Sequence, residues 1–121
     1  ELIFNNKNQV SVTPLFAEIL TKAKERVTAQ GGKLYFVYLP RAERYIRYFT
    51  NHDTFSQRGE VLSIVKSLGI PVIDIHQEVF DKHPDPLELF PLRMRAHFNA
   101  KGYRLTSEAI VKEIKRMEGT H

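Results

Sequence analysis

The stretch of this chain best equipped for chemistry is His97-Phe98-Asn99-Ala100-Lys101-Gly102-Tyr103, which runs on into Leu105 and Ala109-Ile110. It places an imidazole two residues before Asn99, a residue type that caps helices by accepting a backbone N–H of the first turn. A histidine so placed projects from a loop while a rigid helix fixes its position, as a general base must be held. A loop histidine that merely hydrogen-bonds to its neighbours has the same spacing, so the pattern alone leaves both readings open.

The other chemically able residues are more scattered. Arg41 and Arg44 follow the apolar run that ends at Pro40. If that run is a parallel strand, both stand at the sheet edge where open α/β folds place ligands. They could hold an anionic or sugar-bearing substrate there, or simply pair with Glu43 or Asp74. His76 follows the second apolar run at the same edge, where a polar strand-end residue is equally at home. His52, His83 and His121 have no partner spacing, and no two histidines stand four apart on a helix as a metal pair would. No metal and no cofactor is therefore expected. Nor does any serine declare itself a nucleophile. Ser56 reads as a helix cap, Ser63 and Ser107 lie within helices, and Ser11 lies in a mixed segment.

Positioning these residues requires the following elements. Residues 1 to 12 are mixed, with Leu2-Ile3-Phe4 as a short strand that the asparagines at 5, 6 and 8 interrupt. Residues 13 to 30 read as a helix, capped by Thr13, with Pro14 in its first turn and Phe16, Ile19, Leu20, Ala23 and Val27 on one stripe. Gly31-Gly32 ends it. Residues 34 to 39 form a continuous run of β-formers of the kind buried on both faces. Residues 41 to 55 are a polar and aromatic connection. A second helix spans 56 to 68, with Val61, Ile64, Val65 and Leu68 inward, and a second buried strand spans 70 to 75, with Pro71 near its start. The crossover between the strands argues for parallel pairing with a right-handed connection. Residues 76 to 80 make one helical turn, and residues 81 to 96, with Pro84, Pro86 and Pro91, an irregular loop. A last helix runs from the cap at Asn99 to about Met117, with Leu105, Ala109, Ile110, Ile114 and Met117 inward.

The 121 residues suit one domain, and the apolar, aromatic and charged fractions are those of a globular protein. With no cysteine, a disulfide framework, a thiol nucleophile and a cysteine-type zinc site are excluded. The net charge of +4 gathers in Arg41-Arg44-Arg47, in Arg93/Arg95 and along the last helix. There Glu108, Glu113 and Glu118 alternate with the basic residues. This is a solvated helix face rather than a nucleic-acid surface, so no nucleic-acid partner is expected. No run is long and apolar enough for a membrane-spanning helix, and the first residues do not resemble a signal peptide. Because the chain begins without Met, it is expected to be a processed form or a fragment.

His97-Phe98-Asn99-Ala100-Lys101-Gly102-Tyr103, followed by an amphipathic helix, resembles the last block of the SGNH/GDSL hydrolases. Residues 32 to 40 resemble that family's penultimate sheet strand, and Leu68-Gly69-Ile70-Pro71-Val72-Ile73-Asp74 its last strand. Leu89-Phe90-Pro91 ahead of the histidine, and the pair Arg44-Tyr45, are similar to a bacterial and often membrane-anchored branch. The resemblance covers residues 13 to 117. It implies a flavodoxin-like three-layer α/β fold, of which residues 1 to 121 would be the C-terminal portion. It also implies a serine esterase or acyltransferase acting on a small-molecule or carbohydrate ester, with His97 as the base. The family's serine and oxyanion blocks have no counterpart here, so the chain alone is expected to be inactive. The family usually carries an aspartate three residues before the histidine, where this chain has Met94. Since the acid orients the imidazole, three arrangements remain: a Ser–His dyad, a backbone carbonyl as orienter, or an acid from elsewhere, for which Asp85 is the first candidate and Asp74 stands behind it. The alternative is that each is local, Asp85 as a turn residue and Asp74 as a strand-end cap.

Two strands and three helices make an unfinished sheet, with open edges and half-covered helix stripes. The expected partner is an N-terminal half or a second copy of the chain. The rival to the hydrolase reading is a non-catalytic binding or assembly module on the same scaffold, which the methionine at position 94 favours.

Overall fold

A computed structural model describes residues 2–4, 10–46, 57–94 and 97–119. It contains helices together with a small two-stranded parallel sheet, an α/β composition. The chain divides into two compact units, Glu1–Phe36 with Asn51–Val72, and Val37–Thr50 with Ile73–His121.

The first unit opens with strands β1 (Leu2–Phe4) and β2 (Val10–Val12), paired antiparallel with Leu2 opposite Val12 and Phe4 opposite Val10. The second of these strands was hidden in the mixed opening segment. Helix α1 (Pro14–Ala29) follows, with proline at its start. The expected Thr13 cap does not form. Its backbone is extended, but its side chain makes no capping bond and its Oγ1 is buried without a partner. The other end behaves as expected. Gly31 takes φ +80°, with Gly32 N–H donating to Val27 O at 2.9 Å and Gly31 N–H to Thr28 O at 3.0 Å, the reciprocal pair of bonds that closes many helices. No residue of α1 is buried. Phe16 meets Phe36 edge-on at 6.2 Å, while Leu15 and Ile19 are 45% and 56% exposed.

Helix α2 (Gln57–Ser67) buries Gln57, Leu62 and Val65, so its inner stripe passes through Leu62 rather than through Val61 and Ile64, which are half-buried. Its end is capped from α1, with Lys24 Nζ donating to Leu68 O at 2.8 Å. Ser56, the expected cap, and residues 47 to 55 lie outside the described residues.

Strands β3 (Phe36–Tyr38) and β4 (Val72–Asp74) form the parallel pair that the two apolar runs predict, each shorter than its run. Phe36 N–H donates to Pro71 O at 2.9 Å, so Pro71 serves the sheet as an acceptor. Burial falls short of the expectation. Ile73 and Asp74 are buried, but all three residues of β3 are only half-buried and Leu39 is 52% exposed. A run that would suit a central strand here lies in a sheet of two.

The second unit is built around rings. Phe80, Phe90 and Phe98 are buried, with centroids 5.0 to 5.4 Å apart, and Tyr45 stacks on Phe80 at 5.3 Å. His76–Phe80 is a single π-helical turn closed by Asp81 N–H to His76 O at 2.7 Å. The proline-rich segment is more regular than expected. A short 3₁₀ turn occupies Pro86–Leu89 and starts on a proline, whose fixed φ suits a helical first position, whereas Pro91–Arg93 is a hydrogen-bonded turn with a left-handed backbone at Leu92 and Arg93. Helix α3 (Ala100–Glu118) is capped as predicted, Gly102 N–H donating to Asn99 Oδ1 at 2.9 Å. It buries Gly102, Thr106 and Glu113, whereas Leu105, Ala109, Ile110, Ile114 and Met117 are half-buried.

Candidate functional site

The block at 97 to 103 resolves residue by residue. Phe98 is 8% exposed and belongs to the ring cluster. Asn99 caps α3 through Oδ1. Its N–H donates to Leu89 O at 2.9 Å and its Nδ2 to Glu88 O at 2.6 Å. Lys101 reaches Glu88 at 2.7 Å and holds that carboxyl below its usual range. Gly102 is where the helix presses on the 86–89 turn, since a Cβ there would stand 2.6 Å from Leu89 O and 2.9 Å from Phe98 Cβ. Phe98, Asn99, Lys101 and Gly102 are thus explained by folding alone. His97 is not. It is exposed, and among the described residues no hydrogen bond or ion pair holds it.

His97 opens onto a cavity of about 470 Å³ within the second unit. Leu39 and Pro40, just beyond β3, line one part of it. Arg41 and Glu43 line another, at the 3₁₀ turn Ala42–Arg44, and Tyr103 of α3 also contributes. The structure therefore brings together two predicted site residues, His97 and Arg41. It adds one that the sequence reading had treated only as an ion-pair partner. Glu43 is 8% exposed, and its Oε1 lies 3.2 Å from Arg41 Nη2. Its signal in the sequence was a carboxylate between Arg41 and Arg44, close after a strand. The arginine side chain is 74% exposed, whereas that of the glutamate is 11% exposed. Cation, buried anion and free imidazole thus share one apolar-walled hollow, a setting for a polar small molecule with apolar substituents.

The remaining candidates lie elsewhere. Arg44 does not line the cavity. Its Nη2 donates to Tyr38 Oη at 2.9 Å and its guanidinium lies 5.9 Å from that ring's centre. Asp85 is gripped by Arg93, with Nη1 to Oδ2 at 2.6 Å and Nη2 to Oδ1 at 3.1 Å. The bond from Arg93 holds the Asp85 carboxyl below its ordinary range, so it remains an anion committed to that arginine. Asp74 is buried, and its Oδ1 accepts the Gln77 N–H at 3.4 Å where β4 turns into the π turn. Met94 is 61% exposed.

A second polar contact lies at the end of β4. Tyr45 Oη is 2.7 Å from His76 Nδ1, with the two rings stacked at 5.7 Å. Burial pushes the Tyr45 phenol far above its usual range, against the opposing pull of Arg44, so it stays protonated and can donate to the imidazole. Among the described residues no group of His, Asp and Glu is arranged to hold a metal ion, and no helix is long and apolar enough to cross a membrane. Comparisons with protein-family models, with curated proteins and with solved structures found no match to this chain.

Proposed function

We propose that this chain is the histidine-bearing part of an SGNH-type ester hydrolase or acyltransferase, with a flavodoxin-like three-layer fold in the complete domain. The carrying observation is the isolation of His97. The neighbours that make up its motif have folding tasks, whereas the histidine has none and faces a cavity. An unengaged imidazole in the loop before α3, facing a cavity, is available to take a proton from a nucleophile and return it to a leaving group. In this reading His97 is the base and Arg41 steers an anionic or hydroxyl-rich portion of a small-molecule or carbohydrate ester. The attacking serine and the oxyanion donors come from a polypeptide that completes the sheet, an N-terminal half or a second copy. The half-buried β3 and the exposed Ile19 and Leu39 support such a partner.

The test is on the complete protein. His97→Ala should lower ester turnover by a factor on the order of a thousand or more. Thermal stability should be unchanged to within about 0.5 kcal/mol, because the side chain is exposed and unbonded. An active esterase that keeps its rate after this substitution would remove His97 from the mechanism.

One observation favours a second reading, a non-catalytic binding module. The aspartate nearest in sequence to an orienting role, Asp85, is held by Arg93. On that reading the complete protein would turn over no ester, while a ligand would still bind at Arg41 and Glu43.

A further inference from the structure

The arm from Phe90 to Met94 departs from the packing logic of the rest of the second unit. Its foot is fixed, because Phe90 is 2% exposed and meets Phe98 edge-on at 5.4 Å, and Leu89 O accepts from Asn99 N–H at 2.9 Å. Beyond that foot the backbone turns left-handed at two successive residues, Leu92 (φ 52°) and Arg93 (φ 58°). Side chains as bulky as these adopt that conformation only when the surroundings hold them in it. The holding group is Asp85, whose two oxygens take Arg93 at 2.6 and 3.1 Å. The strain does not bring an apolar side chain inward. Leu92 is 88% exposed and Met94 61%, beside an exposed Pro91.

We infer that Leu92 and Met94 form a prong that inserts into a lipid surface, held outward by the Asp85–Arg93 clamp. A stable protein interface takes about 800 Å² from each partner, supplied by some 20 to 30 residues. Two aliphatic side chains on a short turn offer far less, and they present no groove for a partner to fill. A fluid lipid surface needs no shape complementarity, only apolar groups that reach past the headgroups. The clamp fits this use. It pairs Arg93 with Asp85, so the charge of Arg93 itself does not stand unpaired beside the tip. The excess of basic residues, 18 Lys and Arg against 14 Asp and Glu, adds attraction to anionic headgroups. This inference uses no step of the ester chemistry and stands or falls separately from it.

The chain has no tryptophan, so Leu92→Trp supplies a single reporter at the tip. Titrated with phosphatidylcholine vesicles, with and without phosphatidylglycerol, its emission should shift to the blue, and lipids brominated on their acyl chains should quench it. In co-sedimentation with the mixed vesicles, Leu92→Asp and Met94→Asp should each weaken binding of the unlabelled chain about tenfold or more. Circular dichroism should be unchanged, because both side chains are exposed. An emission spectrum indifferent to both vesicle types overturns the proposal. So does binding to phosphatidylglycerol that salt abolishes and the aspartate variants leave intact, which would be adsorption by surface charge. A concentration-dependent dimer that Leu92→Asp dissociates, with no vesicle response, would make the prong a protein contact and overturns it equally.

Discussion

Gly102→Ala separates two physical effects of opposite sign. Alanine in place of glycine within a helix is worth up to about 1 kcal/mol of stability. Packing argues the other way. The new Cβ would lie 2.6 Å from Leu89 O, 2.9 Å from Phe98 Cβ and 3.3 Å from Leu89 Cβ. The nearest of these is a backbone atom fixed by its bond from Asn99 N–H, and Phe98 is locked among three other rings. Neither can yield cheaply, so the cost belongs at the upper end of the usual overpacking range, about 3 kcal/mol. The net expectation is a loss of about 2 kcal/mol, or roughly 5–10 °C in Tm for a chain of this size. Gly59→Ala is the control. It lies in α2 with nothing within 4 Å of its added Cβ, so there the helix term acts alone and the variant should gain about 0.5–1 kcal/mol. Thermal and urea melts followed by circular dichroism measure both. A Gly102→Ala variant as stable as Gly59→Ala would refute the close approach of α3 to the 86–89 turn, and with it the packing account of this block.

Asn99→Ala removes the α3 cap and the Nδ2 bond to Glu88 O. It should cost about 1–2 kcal/mol in urea melts, and an unchanged midpoint would show the cap to be idle. The Asp85–Arg93 clamp should depend on pH. Because the folded carboxyl is held below its ordinary value, chiefly by the bond from Arg93, its contribution is full above the unfolded value of about 4. It is lost as pH falls through the lower folded value. Carboxyl carbon shifts in NMR should show Asp85 titrating below the ordinary aspartate range, and an ordinary midpoint would mean the clamp does not persist in solution.

Much of the fold was legible where local chemistry decides. The 3.6-residue stripes placed the bodies of α1, α2 and α3, Gly31 ended α1 through its left-handed conformation, and Asn99 capped α3 as its side chain requires. The two apolar runs located the parallel pair. Local signals failed where a neighbour decides. Thr13 precedes Pro14 as a cap would, yet its hydroxyl makes no capping bond. The inward face of α2 runs through Leu62, and Thr106 and Glu113 of α3 are buried in place of the leucine and isoleucines on its stripe. Pro86 lies in a segment read as an irregular loop and instead begins a short helical turn, because the same fixed φ that ends a helix also starts one.

For the candidate site, the sequence by itself determined that His97 would stand in a loop just before a capped helix and that Arg41 would follow a strand. Both follow from bonds between residues a few positions apart. What the sequence left open was which charges would meet. Arg41 reaches the cavity of His97 and Arg44 turns to Tyr38. Asp85 belongs to Arg93, and Glu43 is buried beside the imidazole's cavity. The meeting of Arg41, Glu43 and His97 rests on segments dozens of residues apart, the loop after β3 and the start of α3, while the Arg44–Tyr38 and Asp85–Arg93 pairs, six and eight residues apart, depend on how the turns between them fold. Only tertiary structure sets those distances, and an electrostatic or hydrogen-bonded pairing exists only once the distance does.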